Sequence, residues 1–312
     1  MDRYNLAAGA AAPPGAPAAP ANPYYTAGTP GSVPATAPGP WFFHMVTEEL
    51  RKVITDAGLT PDHANLTQLS QAIQLFTNRV AVIGSARNLV ARNNAGTPNT
   101  KVDYAADEVV VKSGAGVALL MSAWSGTVDC ATVGADGVDA GALGNNQWWY
   151  LWAIGDGTNK KGLLSQSSTA PTMPGGYTYK ALLGVARTNG SAQIISYNQF
   201  GRDIEMTEQV VFTGQTGQTS YGSQSLSAFV PPIAKGASGH FGTTSTTHNM
   251  AIAGNAAGLG VQRGNVGVGN AMDTFALGIP YRNVPLITAQ TIYWKTDDTG
   301  SLYRLTSNGF SI

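Results

Sequence analysis

Two periodicities divide the chain. From Trp41 onward, Val46, Leu50, Val53 and Ala57 recur at spacings of 4, 3 and 4, with Glu48, Glu49, Arg51 and Lys52 between them and Gly58 behind them. Apolar residues at that spacing share one helix face, so an amphipathic helix ending at Gly58 is predicted. After the break Gly58-Leu59-Thr60-Pro61-Asp62, the residues Leu66, Leu69, Ile73, Phe76, Val80 and Ile83 follow at spacings of 3, 4, 3, 4 and 3. This seam is marginal as an isolated coiled coil. It either folds back on the first helix as a hairpin or meets other copies of the chain, and the spacing favours neither.

Beyond Lys101 the pattern shortens to alternation between turn signals. Strands are predicted near Glu108 to Lys112, Val117 to Trp124, Gln147 to Ile154, Tyr179 to Arg187 and Ala192 to Tyr197. A second set lies near Glu208 to Thr213, Ser225 to Val230, Ala237 to Gly242, Phe275 to Ile279, Thr291 to Thr296 and Ser301 to Thr306. Asn189-Gly190 between two apolar runs is a signal for a tight type I′ hairpin. Many short strands separated by Gly, Pro and Asn turns imply antiparallel sandwiches or barrels.

Composition adds an arm in front of these elements. Residues 1–40 hold 12 Ala, 9 Pro and 5 Gly, with Asp2 and Arg3 as the only charges. Such a segment favours an extended, polyproline-like chain. The expected organisation is an anchoring arm over 1–40, a helical oligomerisation or attachment module over 41–90, a first β domain over 91–204 and a distal β domain over 205–312. The expected fold is therefore mainly β, with a short helical hairpin and two antiparallel β-sandwich-like domains.

Charge and cysteine narrow the function. The 18 Lys+Arg balance 18 Asp+Glu, and charged residues are 12% of the chain, about half the usual share of roughly 25%. A near-neutral, charge-poor chain gives no electrostatic footprint for a nucleic-acid backbone. No apolar run reaches the length of a membrane span, so membrane insertion is not expected. Cys130 has no second cysteine to pair with.

The candidate chemistry is sparse. Trp148, Trp149, Tyr150 and Trp152 within one strand suggest a sugar platform, but alternation sends them to both faces, as core packing requires. His240 and His248 share a neighbourhood without a supporting Cys or carboxylate, so no metal or other cofactor is expected, although a site built on the axis of a trimer stays open. Asp136-Gly137-Val138-Asp139 and Asp156-Gly157-Thr158-Asn159 lack the spacing of a calcium loop and read as turns. The glycine-rich run 254–270 lacks the Gly-Lys-Ser/Thr ending of a phosphate loop and is either a structural crossover or a binding tip. Asp203 with Glu205 and Asp297 with Asp298 are adjacent carboxylates, not a separated catalytic pair, and no nucleophile elbow is present, so no enzyme is expected.

Three stretches together resemble tail-fibre and receptor-binding proteins of tailed bacteriophages and prophages. The first is Val46-Thr47-Glu48-Glu49-Leu50-Arg51-Lys52-Val53-Ile54, with Ala57-Gly58-Leu59-Thr60-Pro61-Asp62 and Asn65-Leu66-Thr67-Gln68-Leu69-Ser70-Gln71-Ala72-Ile73. It is similar to a module found ahead of many fibre domains. The second is Asn94 to Asp103 with Ala105 to Val111, continued by Trp148 to Trp152, Gly162 to Ser165 and Gly175 to Leu182. The third, Thr291-Ile292-Tyr293-Trp294-Lys295 with Asn308-Gly309-Phe310-Ser311-Ile312, resembles the closing hairpin of such proteins.

That resemblance implies a homotrimeric virion protein, assembled in the bacterial cytoplasm and joined to other tail or baseplate proteins through residues 1–40. It implies attachment to a host surface receptor such as a pilus, lipopolysaccharide or protein, and no shared catalytic residues. A baseplate or tail-tip component that positions another adhesin is the alternative. Oligomerisation is expected at Leu66, Leu69, Ile73, Phe76 and Val80. With the N-terminus held by the tail, receptor contact is expected in 205–312, at Gln262, Arg263 and Asn265.

Overall fold

The computed structural model describes residues 12–15, 27–32, 34–35, 37, 39–79, 82–243, 248–265 and 277–312. Most of the arm over 1–40, and Val80 of the helical seam, lie outside these residues. The chain forms two compact units, Met1–Ala81 and Val82–Ile312.

The first unit is a helix pair, α1 (Pro40–Asp56) and α2 (Gln68–Arg79). Pro40 occupies the first turn of α1, where its missing amide has no intrahelical partner to lose. The helix stops where Gly58 takes φ of 86°. There the Gly58 amide donates to the Thr55 carbonyl and the Leu59 amide to the Ile54 carbonyl, at 2.9 and 3.1 Å. This double closure uses two otherwise unsatisfied carbonyls, and glycine adopts the left-handed backbone it needs without a Cβ clash.

Buried Gln68 fixes the return: its Nε2 donates to the Thr60 carbonyl at 2.7 Å and its Oε1 accepts from the Asp62 amide at 2.8 Å. The two helices close over Ile54, Ala57 and Ala72, with Val53, Leu59 and Leu75 against them. The hairpin thus packs through Ala72 and Leu75, not through the heptad stripe. Leu66 is 94% exposed, Leu69 37%, Ile73 54% and Phe76 37%.

The second unit is built of strands. In chain order these are β1 (Ala86–Arg87), β2 (Val90–Asn93), β3 (Lys101–Ser113), β4 (Ala118–Asp129), β5 (Gly137–Val138), β6 (Trp148–Gly155), β7 (Lys160–Ser165), β8 (Tyr179–Arg187) and β9 (Tyr197–Phe200). There follow β10 (Asp203–Thr216), β11 (Gly222–Ser225), β12 (Gly236–Thr243), β13 (Asn249–Ala253), β14 (Gln262–Asn265), β15 (Leu277–Pro285), β16 (Thr291–Thr296) and β17 (Leu302–Ser311). The protein is mainly β, as its alternating pattern predicts.

The large sheet runs β15-β12-β17-β10-β9-β2-β3-β8-β6-β7-β5, with β1 and β4 also paired to β3. Its pairs are antiparallel except β5 with β7. β9 pairs with β2 on one side and β10 on the other, so the boundary expected at 204/205 is crossed by continuous hydrogen bonding. The second sheet, β11-β16-β13-β14, is antiparallel.

Both faces of the central strand β6 are covered, so its burial does not alternate. In β6, Trp149, Tyr150, Leu151 and Trp152 are all buried, which removes the aromatic strand as a sugar platform. A second aromatic cluster lies between the two sheets, where the Trp294 ring centroid is 5.2 Å from Phe212 and 5.5 Å from Phe241.

Four local expectations change; the strand expected over Ala192 to Tyr197 begins only at Tyr197. Asn189 and Gly190 do not take positive φ; Ala192 does, at 57°. The Asn189 side chain accepts the Ser191 and Gln193 amides, giving a wider turn than a two-residue hairpin. Beyond β11, Leu226 to Val230 forms one helical turn instead of a strand, with the Val230 amide donating to the Leu226 carbonyl. That turn buries Leu226 and Val230, whose spacing is helical. β16 and β17 do not form a closing hairpin: β16 pairs with β11 and β13, and β17 with β10 and β12. Residues 297–301 therefore carry the chain from the small sheet to the large one.

Candidate functional site

The outward face of the small sheet gathers the polar residues of distant strands. Successive residues of a strand point to opposite faces. In β13 and β16, Met250, Ile252, Ile292 and Trp294 point inward and are buried. The alternate positions Asn249, Ala251, Tyr293 and Lys295 face the other way. Pairing sets Arg263 opposite Ala251, and Ala251 opposite Lys295, so that two cations flank one methyl group across three strands.

These residues line an open groove of about 640 Å³, together with Thr219, Asn249, Thr296 and Asp297. The Lys295 ammonium sits 4.9 Å from the Tyr221 ring centroid. Among the described residues, no carboxylate lies within ion-pair distance of Arg263 or Lys295. The buried Tyr221 hydroxyl has no hydrogen-bond partner.

One end of the groove is held by the crossover between sheets. Asp297 accepts from Asn249 Nδ2 at 2.7 Å and lies 3.1 Å from His248 Nδ1. The Asn249 backbone amide, more than its side chain and His248, holds the Asp297 carboxyl below the usual carboxylate range. Asp298 sits 3.4 Å from His248 Nε2. Burial pushes the Asp298 carboxyl up, but donors from Tyr303, Ser301 and Gly300 outweigh it and hold the pKa at about 2.

His248, Asp297 and Asp298 bring three metal-capable atoms within 4.8 Å of one another. Each group already has partners within the protein: the Asp298 oxygens accept from Tyr303, Gly300 and Ser301, Asp297 accepts from Asn249, and the imidazole lies between two carboxylates. The arrangement reads as a hydrogen-bonded clasp. His240 belongs to β12 of the large sheet, with its backbone amide bonded to Thr306 Oγ1.

The residues expected to contact a receptor divide. Arg263 lines the groove. Gln262 points the other way, its Oε1 accepting from the Arg282 amide at 2.9 Å and its Nε2 donating to the Arg282 carbonyl at 2.5 Å, and so ties β14 to β15. Asn265 ends β14 opposite Asn249, and its side chain lies outside the described residues. Residues 262–265 are a paired strand, not part of a loop. Gly264 is there because a Cβ at its position would meet Ile279 Cγ2 at 1.7 Å.

Lys295, Asn249 and the 297–298 corner were not predicted as site residues. The alternation of Tyr293, Lys295 and Asp297 with Ile292, Trp294 and Thr296 does place the first three on a wet face. Which strands stand beside them is not written in that alternation.

The acidic turns are structural. Asp136 accepts the Tyr104 hydroxyl, the Gly162 amide and Lys161 Nζ, at 2.5, 2.8 and 2.8 Å. Asp156 accepts the Thr158 and Asn159 amides at 2.8 and 2.6 Å. A second depression of about 180 Å³ beside Glu205 and Arg282 differs from the groove, because those two charges approach each other at 3.8 Å. No helix is long and apolar enough to cross a membrane among the described residues. Comparison with protein-family models and with curated proteins finds no match.

Proposed function

We propose that this chain is a tail fibre or receptor-binding protein of a tailed bacteriophage, attached to the tail through residues 1–40 and meeting the host surface with the outward face of its small sheet. The observation that carries the reading is the open groove in which Arg263 and Lys295 stand without an acidic partner among the described residues. Cations left in that state on a charge-poor protein are poised for an outside ligand. The resemblance of the segments around Val46 to Ile73 and Asn94 to Val111 to phage fibre proteins supplies the biological setting.

The apolar stripe that runs from Leu66 into α2 supports assembly as a homotrimer. Leu66 and Leu69 are exposed to 94% and 37%, and burying one large apolar side chain contributes roughly 1.5–3 kcal/mol. Several copies on one tail would turn individually weak contacts into firm attachment through effective concentration.

The test is to label the full chain with a fluorophore and measure its binding to candidate bacterial hosts, with immunogold labelling of particles carrying the same protein. Saturable cell binding together with gold at the tail supports the reading. Gold at the tail without cell binding would place the protein among structural tail components, and absence from particles would remove the virion assignment.

A further inference from the structure

The groove has more chemical character than a generic contact surface. Its two cations lie in one cross-strand row, Arg263–Ala251–Lys295. Neighbouring strands are about 4.8 Å apart, so the Arg263 and Lys295 backbones stand roughly 10 Å apart with a methyl floor between. An anion placed over Ala251 would be reached from both sides.

The next outward row, two residues along the strands, holds Asn249 and Asp297, joined by a 2.7 Å hydrogen bond. Two residues of a strand advance about 7 Å. Asp297 stays ionised because Asn249 and His248 support its charge, and an ionised carboxylate is an acceptor only. One end of the groove therefore attracts negative charge, and the other repels it while accepting hydroxyl donors.

A small inorganic anion uses only the first end. A neutral sugar uses only the second and leaves both cations without an acidic partner among the described residues. A ring that carries an acid group at one side and hydroxyls at the other uses both, and about 640 Å³ accommodates it.

We propose that this groove binds an acidic sugar residue, with its carboxylate or phosphate between Arg263 and Lys295 and its hydroxyls toward Asp297 and Asn249. The openness of the groove suits a residue within a polymer. The inference rests on the attachment reading only for where such a polymer is met; the groove chemistry stands by itself.

The experiment is calorimetric titration of the full chain with trigalacturonic acid and with its neutral methyl ester, and in parallel with glucose 6-phosphate and with glucose. At least one acidic compound should bind at least tenfold more tightly than its neutral counterpart, and more weakly at high salt. The pair that responds tells a carboxylate ligand from a phosphate one. Arg263→Gln and Lys295→Gln should each weaken binding at least tenfold, whereas Arg282→Gln should not. Equal binding of acid and neutral forms, no binding of either acid, or unchanged binding by the Arg263→Gln/Lys295→Gln double variant would overturn the inference.

Cell binding separates this from the attachment reading. If the parent binds cells but neither acidic compound, the acidic-sugar inference falls while attachment stands. If the parent binds acidic sugars but no cells, the groove stands and attachment falls.

Discussion

The Tyr303 hydroxyl donates to the carboxylate of Asp298, joining the start of β17 to the corner through which the chain leaves the small sheet. Asp298 also accepts the Ser301 amide at 2.7 Å and the Gly300 amide at 3.1 Å, so one side chain closes the whole crossover. Desolvation and this bond together raise the tyrosine's pKa, and the same bond lowers that of the aspartate.

Acid should therefore act on this corner. The Asp298 carboxyl falls from 3.8 to about 2 in the folded chain. A depressed carboxyl contributes stability that is complete above the unfolded value and is lost as pH falls toward the folded one. Asp298→Asn should lower the melting temperature at neutral pH, and the gap between variant and parent should close between about pH 4 and pH 2. A gap that persists undiminished at pH 2 would contradict the assignment.

The close approach of β14 and β15 gives a second test. Gly264→Ala must displace Ile279, because the added carbon would lie 1.7 Å from its Cγ2. A cost of about 1–3 kcal/mol is expected from such overpacking. Ile279→Ala should restore much of it in the double variant, as residues in contact couple strongly. Urea unfolding of the four proteins in the cycle measures the coupling.

Assembly can be read from mass. Leu66→Asp with Leu69→Asp should leave the helix pair folded, since Ile54, Ala57 and Ala72 form its core, yet lower the oligomeric mass in light scattering. Ala72→Asp should instead lose helical circular dichroism. Unchanged mass for the first variant would remove the stripe as an oligomer contact.

Asp136 should prove structural. It gathers the Tyr104 hydroxyl, the Gly162 amide and Lys161. Hydrogen bonds to charged groups contribute about 1.5–3 kcal/mol each, so Asp136→Ala should cost at least about 2 kcal/mol in denaturant unfolding. Chelators should leave the melting temperature of the parent unchanged.

Elements whose period is local were legible in the sequence. The stop at Gly58, the turn at Asp156-Gly157 and the strands Tyr179 to Arg187 and Thr291 to Thr296 each carry their own signal. The phase of the second helix was not, because Leu66, Leu69, Ile73 and Phe76 form the more obvious stripe while small Ala72 and polar Gln68 make the close approach to the first helix. For the groove, Arg263 was visible as the one charge in a glycine-rich run. Its companions Lys295 and Asn249 come from strands 32 and 14 residues away in sequence, and only cross-strand pairing makes them neighbours.

The position of β9 between β2 and β10 bears on how such a protein can be recombined. A chimera joined at residue 204 would have to re-form a strand ladder between sequences that were never selected together. A joint just ahead of Val82 falls instead at the boundary between compact units. Exchange of the N-terminal unit at that joint should thus disturb the fold least, because the hydrogen-bonded ladder of the β-rich unit is left intact.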